Sequence, residues 1–388
     1  MRNLIVRTAR AAGRRRDDRG AVAVLVAILI GTGVLFGMGA LVIDVGQLYQ
    51  NQAELQNGAD AAALAIAQSC NAGSCTPSVA TSYADANASG LTGGTAYVNF
   101  VCGMNGTVAV GTGNCGTGNK HCVANPPSGT NYVDVETSTE LPNGSHLLPP
   151  VFARTLAGNG NYSGTTVLAC AQAEWGSPLL GNTVGITVGL CDWSEATSNG
   201  TSYPSPPPYP PNPASLPVVI NLHDANGQES DSSCPSGPAG QTASGNFGWT
   251  FDPNGNCLLT PSNFTNTGGG IYTYGGNTGN NTPSDCQTIL QNAQQNQTVL
   301  YVPIYSAYNG QGSNATYTLS GIGAFALTGY NFGKQFQVAD RITGQLPCGG
   351  NGKNVTCISG YFLHNQIPPP GSSLTGPNYG IDRIKLTG

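Results

Sequence analysis

Residues 19–68 read RGAVAVLVAILIGTGVLFGMGALVIDVGQLYQNQAELQNGADAAALAIAQ, and two physical patterns meet in this stretch. The first is the uncharged run from Ala21 to Ile43, directly behind Arg14, Arg15, Arg16 and Arg19. A hydrocarbon core about 30 Å thick takes roughly 20 apolar residues in a helix, so this run predicts one bilayer crossing. Basic residues stay on the cytoplasmic side, which places residues 1–20 inside as a basic arm and the chain beyond 43 outside. The competing reading is a cleaved signal peptide, with an apolar region of about 7–15 residues and small residues at its cleavage site. Leu41, Val42 and Ile43 stand where those small residues belong, which favours an uncleaved anchor.

The second pattern begins before the first has ended. Leu41, Val45, Leu48, Gln52, Leu55, Ala59, Ala62 and Ile66 alternate by four and three positions, one seam along a helix, apolar except at Gln52. A single helix over 21–68 would be about 72 Å long. Gly58 weakens it by about 1 kcal/mol relative to Ala. Gly33 and Gly37 form a small-xxx-small spacing, which lets helices approach closely in lipid. The seam needs a cover, either a sheet of the same chain or a partner helix.

Downstream the periodicity changes to short strand candidates: Ala96–Val101, Thr107–Val110, Tyr132–Glu136 and Thr165–Ala173. Tyr203–Pro217 is dense in proline and reads as a stiff polyproline spacer. Beyond it stand Pro217–Leu222, Thr298–Ile304, Tyr317–Leu319 and Gly323–Leu327. The expected architecture is α+β: a single transmembrane helix continuing as a long helix packed on an antiparallel sheet, then a β-rich disulfide-bonded module. The expected boundaries are 1–20 (basic arm), 21–43 (anchor), 44–176 (helix and sheet), 177–217 (proline-rich linker) and 218–388 (β-rich domain).

Composition narrows the classes further. Charged residues are 9% of the chain, against about 25% in a typical soluble domain, and 55 glycines help take their place. Half of the 14 basic residues lie in the first 19 positions, so the remainder is strongly acidic and offers nucleic acid no basic stripe. All 12 cysteines follow the apolar run, which reads as disulfides in an oxidising compartment. No pair has CxxC spacing, which removes the redox motif and the zinc ribbon. Cys70–Cys75 and Cys348–Cys357 are plausible local pairs, and the connectivity is otherwise open.

Motifs for chemistry are weak. Gly111, Gly113 and Gly116 fit GxGxxG, but a turn sequence follows where a phosphate site needs a helix. Asp252, Asn254 and Asn256 open like a calcium loop, yet Cys257 and Asn263 occupy the positions that want Gly and Glu. Asp224, Asn226, Glu229 and Asp231 form a second oxygen-rich stretch, and Asx turns account for both. His121, His146, His223 and His364 have no ligand spacing, and HExxH, the Walker loop and GxSxG are absent. No catalytic, cofactor-binding or metal-binding residue is assigned, no cofactor is implied, and the chain reads as non-enzymatic.

The order Arg19-Gly20, the apolar run, Asp44-Val45-Gly46, Leu48-Tyr49 and Leu55-Gln56-Asn57-Gly58-Ala59-Asp60 through Leu64-Ala65 resembles the N-terminal segment of the TadE/TadG-like (Tad) pilus-assembly family. Residues 132–176 resemble the family's later strands more loosely. The resemblance implies a single-span envelope protein with a pilin-like helix, a structural or assembly role in Flp-type pili or secretion, and other components of that apparatus as partners. The fifth residue after Gly20 is Leu25, where processed pilins carry Glu. The DxSxS metal motif of larger relatives is absent, since Asp231 is followed by Ser-Ser-Cys.

The residues expected to matter are therefore structural: Leu48, Leu55, Ala59 and Ile66 on the seam, with Asp44 and Asp60 beside it. An anchored glycan-binding adhesin is the alternative, with Tyr203, Tyr209, Tyr272, Tyr274, Tyr301, Tyr305, Tyr308, Tyr317 and Trp249 as stacking platforms if their rings are exposed. An anchored hydrolase would need a cleft joining a histidine, a carboxylate and a Ser or Thr.

Overall fold

The computed structural model describes residues 19–31, 33–91, 93–112, 115, 131–152, 163–207, 217–223, 234, 247–250, 256–277, 282–310, 312–333, 336–349, 356–364 and 367–387. The anticipated anchor helix is two helices, α1 (Arg19–Gly31) and α2 (Val34–Asn71). Gly33 stands between them with a left-handed φ of 73°, and its amide donates to the Ile30 carbonyl at 3.0 Å. A left-handed residue cannot continue a right-handed helix, and glycine adopts that conformation without a Cβ penalty. The 13 residues of α1 reach only about 20 Å. In α2 the apolar residues give way to Asp44 and Gln47 within about four turns. Among the described residues no helix is long and apolar enough to cross a membrane. The single helix expected over 21–43 is thus corrected to a broken pair, with Gly33 at the break.

The rest of the fold is α+β, as the patterning required. Among the described residues the shorter helices are α3 (Val79–Asn87), α4 (Leu190–Ala196) and α5 (Ser284–Asn296). The first strands are β1 (Thr95–Asn105), β2 (Val108–Gly111), β3 (Asn131–Glu140), β4 (Leu168–Gly176), β5 (Thr183–Val184), β6 (Ile186–Gly189), β7 (Val218–His223) and β8 (Phe247–Thr250). They are followed by β9 (Leu258–Leu259), β10 (Thr265–Gly268), β11 (Ile271–Asn277), β12 (Val299–Asn309), β13 (Ala315–Phe332), β14 (Gln337–Val338), β15 (Thr356–Leu363) and β16 (Arg383–Leu386).

The lower half of the α2 seam finds its cover in a five-stranded sheet ordered β16-β4-β3-β1-β2, antiparallel throughout. Leu55, Ala59, Ala62 and Ile66 are fully buried against Val133, Val135, Ala171, Ala173 and Trp175. Burying a side chain such as Leu55 or Ile66 contributes about 1.5–3 kcal/mol each. α3 lies on the flank of α2 where Gly58 meets Ala84 and Ala88, and it adds Ala80 and Ala84 to the same core.

The larger sheet has nine strands, ordered β10-β11-β8-β6-β12-β13-β15-β7 with β14 on β13. Pairings of β11 with β8, β8 with β6, β6 with β12, β12 with β13 and β13 with β11 close a ring of five strands. Only β6 and β12 run parallel within it. Tyr274, Tyr305 and Tyr317 are buried in a cluster with Leu319 and Phe264. Tyr317–Leu319 and Gly323–Leu327, read as separate strands, are one 18-residue strand. Gly321 between them is no break: a Cβ there would sit 2.8 Å from the Tyr379 ring, so the glycine admits that ring against the strand.

The sheets also cut across the expected boundaries. Residues 177–202, assigned to a linker, contain β5, β6 and α4, whose Val184, Ile186, Val188 and Trp193 belong to the core of the larger sheet. In the opposite direction β16 leaves the C-terminal region and pairs with β4, Ile384 opposite Trp175. Of the proline-rich stretch, residues 208–216 lie outside the described residues.

Candidate functional site

Residues 41–52 of α2, with the chain around 148–152 and 165–168, form the least enclosed part of the helix–sheet contact. Pro149 and Pro150 have no N–H to donate, and Asp44 takes the next two donors of the turn. Val151 N donates to Asp44 Oδ1 at 2.9 Å, and Phe152 N reaches both carboxylate oxygens at 3.1 and 3.2 Å. A cleft of about 120 Å³ opens here, bounded by Leu41, Asp44, Leu48, Leu148 and Pro149. A second of about 320 Å³ lies alongside, bounded by Val45, Tyr49, Gln52, Val167 and Leu168. Of the expected seam, Leu41 and Val45 remain exposed and Leu48 is half-buried, so its upper half lacks the cover that its lower half has.

Asp60 is half-buried and accepts from Gln56 Nε2 at 2.8 Å. The same amide nitrogen donates to the Cys170 carbonyl at 2.7 Å, so Asp60 orients a side chain that ties α2 to β4. Thr137 Oγ1 ties β3 to the helix by donating to the Leu55 carbonyl at 3.1 Å. At the far end of α2, Asn71 Nδ2 donates to Asp382 Oδ2 at 2.5 Å. That contact borders a polar cleft of about 520 Å³ lined by Gln68, His364, Asn378 and Arg383.

Sequence reading missed the reverse face of the small sheet. Residues of β3 alternate between the α2 core and a second buried face holding Asp134, Glu136 and Ser138, with Gln172 and Glu174 on β4. The alternation Val133-Asp134-Val135-Glu136 carried that signal, since period two sends neighbours to opposite faces. Burial pushes the Asp134 carboxyl above its ordinary value, partly offset by Gln172. Glu136 accepts from Asn99 Nδ2 at 2.9 Å, and Lys385 Nζ pairs with Glu174 at 3.2 Å. His146 Nδ1 lies 3.1 Å from both Ser138 Oγ and the Thr139 carbonyl. A carbonyl only accepts, so Nδ1 carries the proton toward Thr139. Ser138 directs its own proton to Asn99 Oδ1 at 2.8 Å. That arrangement holds a loop, and Nδ1 is not free to act as a base on Ser138.

A second buried carboxylate is better supplied. Asp340 accepts from Thr328 Oγ1, from Ser359 Oγ at 2.6 Å, and from the amides of Ile342 and Thr343 at 2.8 and 2.9 Å. Burial pushes its carboxyl up, but these hydrogen bonds together outweigh it and hold the group below its ordinary value.

Other expected features resolve individually. Cys70–Cys75 and Cys348–Cys357 are disulfides, as are Cys102–Cys115, Cys191–Cys234 and Cys257–Cys286. Asp134 approaches the Cys102–Cys115 bridge, and Glu195 the Cys191–Cys234 bridge. With their sulfurs bonded to each other, neither group offers thiolate ligands to a metal. Gly111 ends β2, whereas Gly113, Gly116 and the chain directly after them lie outside the described residues. Asp224–Asp231 and residues 251–255 of the calcium-like stretches, together with His121 and Tyr209, lie outside the described residues. Tyr274, Tyr305, Tyr317 and Trp249 are core residues, whereas Tyr203, Tyr272, Tyr301 and Tyr308 are half-buried. His364 is exposed with its ring 5.8 Å from that of Tyr203.

The geometry defines a long-helix-on-sheet module whose apolar N-terminal end stands free, joined to a disulfide-bonded β module. The N-terminal segment is similar to a known family: residues 20–69 match the family model described as "Putative Flp pilus-assembly TadE/G-like". This match supports a pilus-related role. No curated protein and no solved structure matches the chain.

Proposed function

We propose that the protein is a membrane-anchored envelope component of a Tad/Flp-type pilus-assembly or secretion system, with a structural or assembly role rather than a catalytic one. The observation that carries this reading is the Tad match over residues 20–69, the span of α1 and nearly all of α2. Anchoring is supported by exposure: Val22, Val24, Leu25, Ile28, Met38 and Val42 are 58–71% exposed. A helix apolar on every side seeks an apolar surrounding, and lipid supplies one. In this reading residues 21–43 enter the bilayer as α1 and the first turns of α2, bent at Gly33, a break that membrane helices tolerate. The basic arm faces the cytoplasm, and the disulfide-bonded remainder lies on the oxidising side. Its partners are other components of the pilus or secretion apparatus. The glycan-binding alternative is weakened where its stacking rings are core residues.

The test is fractionation of cells after shearing off surface filaments, following the N-terminal peptide by mass spectrometry. Membrane retention with that peptide intact is the expected result. Recovery in filaments with a new N-terminus at Ala21 would make the protein a processed fibre subunit. Recovery in neither fraction would sink the anchor reading.

A further inference from the structure

We infer that the turn Pro149–Phe152 is a second membrane contact, seating the helix–sheet module on the lipid head-group layer beside its anchor. This rests on the anchor reading above and adds to it a lipid-facing surface outside the helix. Asp44 is the first charged residue after the apolar run, so it marks the level at which α2 leaves hydrocarbon. Its carboxylate holds the amides of Val151 and Phe152, which fixes the turn at that level.

The side chains of the turn face outward. Val151 is 52% exposed and Phe152 41%, with Leu147 at 40% on the approach. Leu148, by contrast, is buried in the module core and bonds by its backbone to Thr165 at 2.9 Å, so the turn is braced from behind. On α2 itself, at the same end of the module, Val42 is 71% exposed and Tyr49 70%. Tyr49 stands five residues past Asp44, about 7.5 Å along the helix. The head-group layer adds about 5–7 Å on each side of the hydrocarbon, so Tyr49 falls at its outer limit, a position aromatic rings favour.

Charge points the same way. From Leu141 to Ala153 the chain has no Asp, Glu, Lys or Arg, and from Thr155 to Ala173 it again has none. This composition suits the boundary of a bilayer better than a protein partner recognised by charge. The occupant argued for is therefore lipid, continuous with the surface that covers α1.

The experiment uses the full chain reconstituted into vesicles of phosphatidylcholine and phosphatidylglycerol with brominated acyl chains. Tryptophan is placed at three positions in turn: Val26→Trp in α1, Phe152→Trp in the turn and Tyr272→Trp in β11. Bromine quenches only rings that touch lipid chains, and the native Trp175, Trp193 and Trp249 are all buried. Expected is loss of more than half the added emission for Val26→Trp and Phe152→Trp, and no loss for Tyr272→Trp. Quenching of Val26→Trp with Phe152→Trp untouched would overturn the inference while leaving the anchor standing. Quenching of neither would remove both. Emission from Phe152→Trp that ignores lipid but shifts with protein concentration would assign the turn to a second copy, and the inference would fall.

Discussion

The Cβ that Gly58 lacks would stand 2.7 Å from the carbonyl oxygen of Ala84 and 3.2 Å from the Ala88 Cβ. α3 thus lies on α2 at a separation that a side chain would prevent. Helix propensity alone credits Gly58→Ala with about 1 kcal/mol of stabilisation. Overpacking against backbone costs about 1–3 kcal/mol, so the substitution should lower stability despite its better propensity. Thermal unfolding of Gly58→Ala should show a lower midpoint than the parent, and Gly58→Val a lower one again. A midpoint at or above the parent would mean that α3 moves aside freely.

Asp44 holds the Pro149–Phe152 turn through two backbone donors, and Asp44→Ala leaves both without that acceptor. A hydrogen bond to a charged acceptor contributes about 1.5–3 kcal/mol when buried and less where, as here, it is partly exposed. The loss should be local. Hydrogen exchange at the Val151 and Phe152 amides should accelerate, with exchange at Val133 and Val135 little changed. Asp44→Asn keeps one acceptor oxygen and should fall between parent and alanine variant. Uniform acceleration across the module would show instead that Asp44 supports the whole fold.

Asp340 and Asp134 should give stability opposite slopes with pH. The folded Asp340 carboxyl sits below its ordinary value of 3.8, so its stabilisation is complete above that value and is lost as pH falls through the folded pKa. Asp134 sits above 3.8 when folded, so its destabilisation is complete above the raised pKa, eases as pH falls, and is gone below 3.8. Urea midpoints between pH 7 and pH 3 check both. Asp134→Asn should raise the midpoint at pH 7 and erase the gain on mild acidification. Asp340→Asn should lower it at pH 7 and blunt the loss at the acid end.

Two disulfides close loops of very different size. Cys257–Cys286 spans 29 positions and secures the N-terminal end of α5, whereas Cys70–Cys75 spans 5 at the end of α2. Chain entropy makes the longer loop worth about 1.5 kcal/mol more. Replacing both cysteines of each pair with alanine should lower the denaturant midpoint more for 257/286 than for 70/75. Equal losses would mean that native contacts, not loop closure, set the contribution of these bridges.

The covered part of the fold was written locally, and the remainder was not. Leu55, Ala59, Ala62 and Ile66 repeat at helical spacing, so a buried helix face was legible without a partner in view. Asp44 and Asp60 stood out beside that seam, but which groups they hold depends on Val151 and Gln56, the first reached only through the tertiary fold. Gly33 looked like any glycine in an apolar helix, because positive φ leaves no mark on composition. Ile186–Gly189 was lost among turn residues, since a four-residue buried strand has too few positions to establish a period. The edge strand Arg383–Leu386 was invisible for a different reason: its partner is chosen by topology rather than by neighbouring sequence.

That edge strand has a consequence for biogenesis. Thr387 bonds Gln172 across 215 positions, and Asn71 bonds Asp382 across 311, so the module formed first in the chain is completed by residues made far later. Contacts so distant along the chain slow folding, because loop closure precedes their reward. During synthesis α2 and β4 wait with an open edge, and a prematurely truncated chain keeps it open. The closing of that edge reports that the intervening β module has been made and has brought its end home.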